Sequence, residues 1–208
     1  MHLSARLRTT LSSSAIAAVA ATALIAAPAS AAPAGTAGGC PAVPTVNPFA
    51  AWGDSADYQL APDGGFEAGA TAWKLAGGAR VVEGNEPFKV NRATDHRSLE
   101  LPARGSATTT PICIGVEHRT MRFFDTGART ATLTVEALYT TRDGTPASIS
   151  LGTVRGGGTW APSDSLPMRV NELAADFGNA MSVRLRFTAS GTVASRIDDV
   201  YVDPYRVR

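Results

Sequence analysis

Two stretches of the chain alternate apolar and polar residues with a period of two, a pattern that a backbone can bury only as a strand. In "ATLTVEALY", Leu133, Val135, Ala137 and Tyr139 are separated by Thr132, Thr134 and Glu136, and by Leu138. "MSVRLRFTA" repeats the design, with Met181, Val183, Leu185 and Phe187 on one side and Ser182, Arg184, Arg186 and Thr188 on the other. Such strands have one face in a core and one toward water. Shorter strand candidates are 79–82, 98–101, 107–114, 120–124, 149–154 and 197–202. Gly77-Gly78, residues 102–105, Asp143-Gly144 and the run Gly156-Gly157-Gly158 separate them with turn chemistry, and Asp143-Gly144 reads as a tight hairpin. Only 171–177 has helical character. Many short strands with almost no helix predict an all-β fold, an antiparallel β-sandwich with a jelly roll as the best fit.

The N-terminus belongs to a different class of segment. Arg6 and Arg8 precede a run rich in Ala, Leu, Ile and Val, and Ala29-Ser30-Ala31 offers a small-x-small cleavage pattern. This predicts a signal peptide over 1–31, cleaved after Ala31, and a secreted product. Residues 32–48, rich in Ala, Pro, Gly and Thr, read as a flexible leader fixed only near Cys40, and 49–208 as a single β-sandwich domain. No second apolar stretch approaches the roughly 20 residues of a membrane span. Without Arg6 and Arg8, 17 basic residues face 18 acidic ones. A surface so close to neutral argues against nucleic acid as a partner. Cys40 and Cys113 are the only cysteines. In an exported chain a lone pair most simply forms a disulfide, two free thiols being the alternative.

The acidic residues near the two ends pose the functional question. "GGFEAGATAWKLAGGARVVEGNEPF" begins at Gly64-Gly65 and sets Glu67 behind Phe66, with Trp73 following; "SRIDDVYVDPY" sets Asp198 and Asp199 inside an otherwise apolar strand. Together these motifs resemble the opening and closing strands of the galactose-binding-like superfamily of carbohydrate-binding-module-like β-sandwiches, over about residues 49–205. The resemblance implies that first and last strands lie side by side and hold a structural calcium. By position it implies Glu67 and Asp198 as ligands, with the carbonyl of Gly65 beside them and the glycines free to turn carbonyls toward the ion. Alternation predicts Asp198 on the face of Val200 and Val202, and Asp199 on the face of Ile197 and Tyr201. The alternative is that Glu67 caps a turn and that Asp198 or Asp199 accepts bonds from Arg196 or from backbone amides, with no metal. Asp63 reads as a turn residue bonding its own backbone.

For ligand contact the candidates by residue type are Trp160, Trp52 and Tyr58, with Trp73 placed in the core. They suit a non-catalytic module that recognises a carbohydrate or a cell-surface polymer. A structural or protein-interaction sandwich that lacks a sugar site is the alternative. Enzyme chemistry finds little support. The seven glutamates show no close alternating pair, whereas glycoside hydrolysis needs two carboxylates about 5 to 9 Å apart across a cleft. His96 and His118 are the histidines outside the signal segment, both expected on polar loops, and no G-x-S-x-G elbow is present. Two scattered histidines are too few for catalytic zinc.

Overall fold

Strands form wherever the alternation is cleanest, and what interrupts them is proline, glycine or an extra residue. The computed structural model describes residues 39–204. The expected signal peptide, the first part of the leader and the last four residues lie outside the described residues. In chain order the strands are β1 (Gln59–Leu60), β2 (Trp73–Ala76), β3 (Arg80–Glu83), β4 (Arg97–Leu101) and β5 (Ser106–Thr109). There follow β6 (Ile112–Gly115), β7 (Thr120–Gly127), β8 (Thr132–Thr140) and β9 (Pro146–Arg155). The last are β10 (Ala161–Pro162), β11 (Leu166–Pro167), β12 (Ala180–Ala189) and β13 (Ser195–Asp203). The helical candidate is a 3₁₀ segment, Arg169–Phe177, stopped by Gly178 at a φ of 79°.

Among the described residues the strands make two antiparallel sheets. One runs β10-β7-β13-β4-β3, with β1 also on β13 and β11 also on β7; the other runs β2-β5-β12-β8-β9, with β6 also on β12. Consecutive strands repeatedly cross from one sheet to the other, the connectivity of a jelly-roll sandwich. The alternating residues behave as expected: Leu133, Val135 and Ala137 on β8, and Met181, Val183, Leu185 and Phe187 on β12, all enter the core between the sheets. Trp73 joins them, its ring 5.7 Å from that of Phe187, and its Nε1–H donates to the carbonyls of Pro62 and Asp63. The single candidate strand 107–114 divides at Pro111, which has no N–H to give to a ladder.

A second, smaller core lies on the outer face of the β7–β13 sheet. Phe124 and Tyr201 point outward from neighbouring strands, and Phe49 and Tyr58 cover them. The Phe49 ring lies 4.9 Å from Tyr58 and 5.4 Å from Phe124. The Arg122 guanidinium sits 4.4 Å above the Phe49 ring and pairs with Asp54 at 2.7 Å. Residues before 48 are tied to the domain as well. Val46 and Tyr58 exchange backbone hydrogen bonds of 2.9 and 2.8 Å, and Cys40 is bonded to Cys113. No helix among the described residues is long and apolar enough to cross a membrane.

The disulfide joins residues 73 apart, and closing a loop of that length restricts the unfolded chain by about 4 kcal/mol. A Cys40→Ser/Cys113→Ser double variant is expected to lose about that much in a denaturant titration. An unchanged midpoint would mean that the N-terminal segment's packing alone holds it.

Candidate functional site

In β13 the expected alternation fails for one step, and the failure builds a pocket. Ile197, Val200 and Val202 all lie in the main core. Against β7, Asp198 stands opposite Phe124 while Tyr201 stands opposite Arg122, so three steps on β13 match two on β7. Asp199 is the extra residue of a β-bulge, at a left-handed φ of 47°, a conformation that aspartate tolerates better than most residues. The expected assignment of Asp198 to the face of Val200 and Val202 is thereby corrected. The bulge keeps three apolar side chains inside and turns both carboxylates away from the core.

The two aspartates then meet different fates. Asp198 is fully buried and satisfied: its Oδ2 accepts the N–H of Glu86 at 3.1 Å and its Oδ1 the N–H of Asp199 at 2.9 Å. Arg196 does not serve it, since its Nη2 donates to the carbonyls of Glu83 and Gly84 and to Ser98. Asp199 is equally buried, yet neither of its carboxylate oxygens has a hydrogen-bond partner. Facing it are the 61–70 turn and the loop 84–96. Gly65 lies so close that a Cβ there would sit 2.9 Å from Asp199 Oδ1, and one on Gly64 would sit 2.9 Å from the carbonyl of Val200. Neither glycine uses a left-handed φ; Asp63 and Phe66 beside them do. Close approach, rather than backbone freedom, is what these glycines supply.

More acids come from the loop. Glu86 is fully buried, with Oε1 accepting the N–H of Val90 at 2.9 Å and Oε2 that of Phe88. Buried Asp95 accepts from Asn91 Nδ2 at 2.8 Å. Glu67 ties the turn to the loop: its Oε1 accepts the backbone N–H groups of His96 and Arg97 at 2.8 and 2.7 Å, and His96 Nδ1 lies 3.1 Å from Oε2. Asp63 accepts from Thr71 and Ala68, the turn role expected of it. Sequence reasoning found Glu67, Gly65 and the Asp198-Asp199 pair, but missed Glu86 and Asp95, which sit in an irregular loop with no period to mark them. A buried carboxylate without a partner costs several kcal/mol. The charges of Glu86, Asp95 and Glu67 bear on Asp199, and carboxylate oxygens are the hard donors that calcium takes. Among the described residues the group of possible metal ligands whose atoms lie within 4.8 Å of one another is Cys40, Glu117 and His118, and there the disulfide removes the thiolate it would need. His118 lies on the loop between β6 and β7, as expected, but is buried there, and its Nδ1 accepts the N–H of Gly115 at 3.0 Å.

The aromatic candidates fall on the covered sheet face. Tyr58 is 1% exposed and its hydroxyl donates to Asp54 at 2.8 Å, so it presents no face to a ligand; the expected contact role is corrected to a packing role. Trp160 is half-buried against the second core, with the Arg196 guanidinium 5.9 Å from its ring. Trp52 is 37% exposed and packs edge-on against Phe88, itself 44% exposed.

The other sheet's outer face is open. β12 pairs with β6 over Ala180 to Val183 and with β5 over Arg186 to Thr188. At the break stands Pro111, and Leu185 N–H donates to Thr109 Oγ1 instead of to a strand. Here a groove of about 650 Å³ opens. Arg184, Leu138 and Ser148 stand abreast on β12, β8 and β9 and line it together with Ser182 and Arg186. Tyr139 and Phe177, half-buried against the main core, also line it. Arg186 is paired with Glu136 through bonds of 2.7 and 3.0 Å. Alternation had placed these β12 residues on the outward face, but nothing in the sequence says that three strands bring them into one groove.

No protein-family model matches the chain, and no curated protein does. Among solved structures the chain is similar to the CBM22-1–GH10 modules of Clostridium thermocellum endo-1,4-β-D-xylanase 10B complexed with xylohexaose. The identity is 17% and the TM-score 0.49 over 66% of this chain, which spans only 27% of that one. It is also similar to the CBM22-1 xylan-binding domain of Paenibacillus barcinonensis Xyn10C, at 14% identity and a TM-score of 0.48, covering 72% of this chain and 99% of that one. A third similar structure is TmCBM61 with β-1,4-galactotriose, at 15% identity and a TM-score of 0.39 over 69% of this chain and 97% of that one.

Burial, reinforced by the neighbouring Asp199, pushes the Asp198 carboxyl up to about 9. Burial, followed by Glu86, Asp95 and Glu67, pushes Asp199 up to about 8; the backbone amide of Asn91 opposes this weakly without completing a hydrogen bond. Burial and then the same acids also raise Tyr201, whose buried hydroxyl has no partner. In the metal-free folded state the pair therefore holds protons that the unfolded chain releases near its ordinary value of 3.8. Their contribution is fully present below that value and is lost as pH rises through about 8 to 9. With a chelator present, the denaturation midpoint is expected to fall from pH 5 to pH 9, and Asp199→Asn to flatten that fall. A midpoint that climbs over this range would show that the pocket's carboxylates ionise without penalty.

Proposed function

We propose that this chain is a secreted, non-catalytic module that binds a carbohydrate or a similar hydroxyl-rich cell-surface polymer in the groove on the β8–β12 sheet, braced by a structural calcium at the β13 bulge. The observation that carries this reading is which face is open. The N-terminal segment covers the outer face of the β7–β13 sheet with Phe49 and Tyr58, so an extended polymer has room only across the other sheet. There Tyr139 and Phe177 offer aromatic surface, and Ser148, Ser182 and the arginines offer polar contacts, the mixture that ligand sites use. The disulfide fits an oxidising compartment outside the cytoplasm. Calcium would be held by Asp199 with Asp95, Glu86 and Glu67, and would replace the protons that burial otherwise imposes. Bound there, it neutralises the pocket and fixes the 61–70 turn and the 84–96 loop against β13.

A second reading, a structural or protein-interaction sandwich without a sugar site, draws on the exposed Trp52–Phe88 pair, which sits on the opposite side from the groove.

Two measurements test these readings. Calcium at about 100 times its Kd is expected to stabilise the protein by about 2.7 kcal/mol, with a larger increment at pH 8 than at pH 5. Asp199→Asn should abolish that increment; a calcium response that survives the substitution would place the ion elsewhere. On a panel of soluble polysaccharides, Ser148→Trp, which fills the groove from an exposed position, is expected to weaken binding about ten-fold or more. Trp52→Ala should leave it unchanged. The opposite pattern would favour the second reading.

A further inference from the structure

We infer that the polymer taken by this groove carries carboxylates, as a uronate-containing polysaccharide does; the inference rests on the groove being the carbohydrate site. A neutral sugar hydroxyl both donates and accepts, and protein sites for neutral sugars need acceptors to receive its proton. None of the residues lining this groove is Asp, Glu, Asn or Gln, and the side-chain acceptors in its lining are the hydroxyls of Tyr139, Thr140, Ser148 and Ser182. Its strongest polar groups are Arg184 and Arg186, which only donate. Over the whole chain acidic and basic residues nearly balance, 18 against 19; in this groove one guanidinium is matched by Glu136, which also accepts from Ser148 Oγ at 3.4 Å, and the other, Arg184, is left over.

The two arginines are not equivalent. Arg186 is held by Glu136, through Nε and Nη2 on one carboxylate oxygen. Arg184 is exposed and has no hydrogen bond or ion pair among the described residues. Two residues apart on one face of β12, they stand about 7 Å apart along the strand. The planar fork of Arg184 matches a carboxylate bidentately, while Leu138 beside it and Tyr139 in the groove's lining meet the apolar faces of sugar rings. Arg186, already oriented by Glu136, keeps Nη1 for a second contact.

The test compares polymers that differ only in charge. Polygalacturonate, alginate and glucuronoxylan, each beside its carboxyl-reduced form, are titrated against the whole protein by calorimetry at about 0.15 M salt, where unspecific attraction is screened beyond about 8 Å. At least one carboxylated polymer is expected to bind about ten-fold more tightly than its reduced partner. Arg184→Gln should erase the difference, with an unchanged melting temperature because the side chain is exposed. Arg129→Gln, in the exposed β7–β8 loop at the far end of β8, should preserve it. Equal affinity for native and reduced polymers overturns the inference and leaves the groove's carbohydrate role standing. Equal weakening by the two arginine substitutions also overturns it, as general attraction to polyanions. Failure to bind any of these or neutral xylan and galactan removes both.

Discussion

The bulge at Asp198 and Asp199 is the constraint on which the rest of this structure depends. β13 runs between β7 and β4 in the middle of its sheet, where apolar side chains must face inward and a carboxylate facing the core would be costly. One extra residue resolves the conflict locally: the core keeps Ile197, Val200 and Val202, and two acids are delivered to a polar pocket. The pocket then dictates its surroundings. Gly64 and Gly65 must approach without side chains, Glu86 must enter from the 84–96 loop to donate its amide to Asp198, and Glu67 must fasten that loop to the turn. Segments distant in sequence meet at a cluster of mostly buried carboxyl groups.

The two sheet faces divide the remaining work. On one, aromatic side chains from the sheet and from the 49–58 segment make a second core, and Arg122 bridges it to Asp54. That roof turns residues that look like sugar-stacking rings into packing residues. On the other face no segment crosses among the described residues, and a proline that cannot join the ladder leaves a break beside β12. The open groove and the closed roof are consequences of where the N-terminal segment lies, and the disulfide to Cys113 helps to set that path.

Much of the fold was legible because alternation is local and strict. β8 and β12 bury the residues their period assigns them, the turns fall at glycine and proline clusters, and the lone cysteines pair. The two end motifs do meet in the fold, since Gly65 lies against Asp199. What could not be read was which aspartate would be left without a partner. A period of two carries no mark of an inserted residue, and Asp198 and Asp199 are chemically identical until a bulge gives one of them two amides and the other none. Glu86 and Asp95 were hidden for a related reason: an irregular loop has no period from which burial can be inferred.

By itself, then, the sequence determined the strands, their inward faces and the acidic character of the two ends, because each follows from spacing between near neighbours. Only the tertiary structure decided that Tyr58 is buried, that Asp199 rather than Asp198 has bare oxygens, and that Arg184 and Ser148 share a groove. Those outcomes turn on which strands become neighbours and which face a distant segment covers. Burial and electrostatics act through space, and the distances they depend on are set by the packing of the whole sandwich.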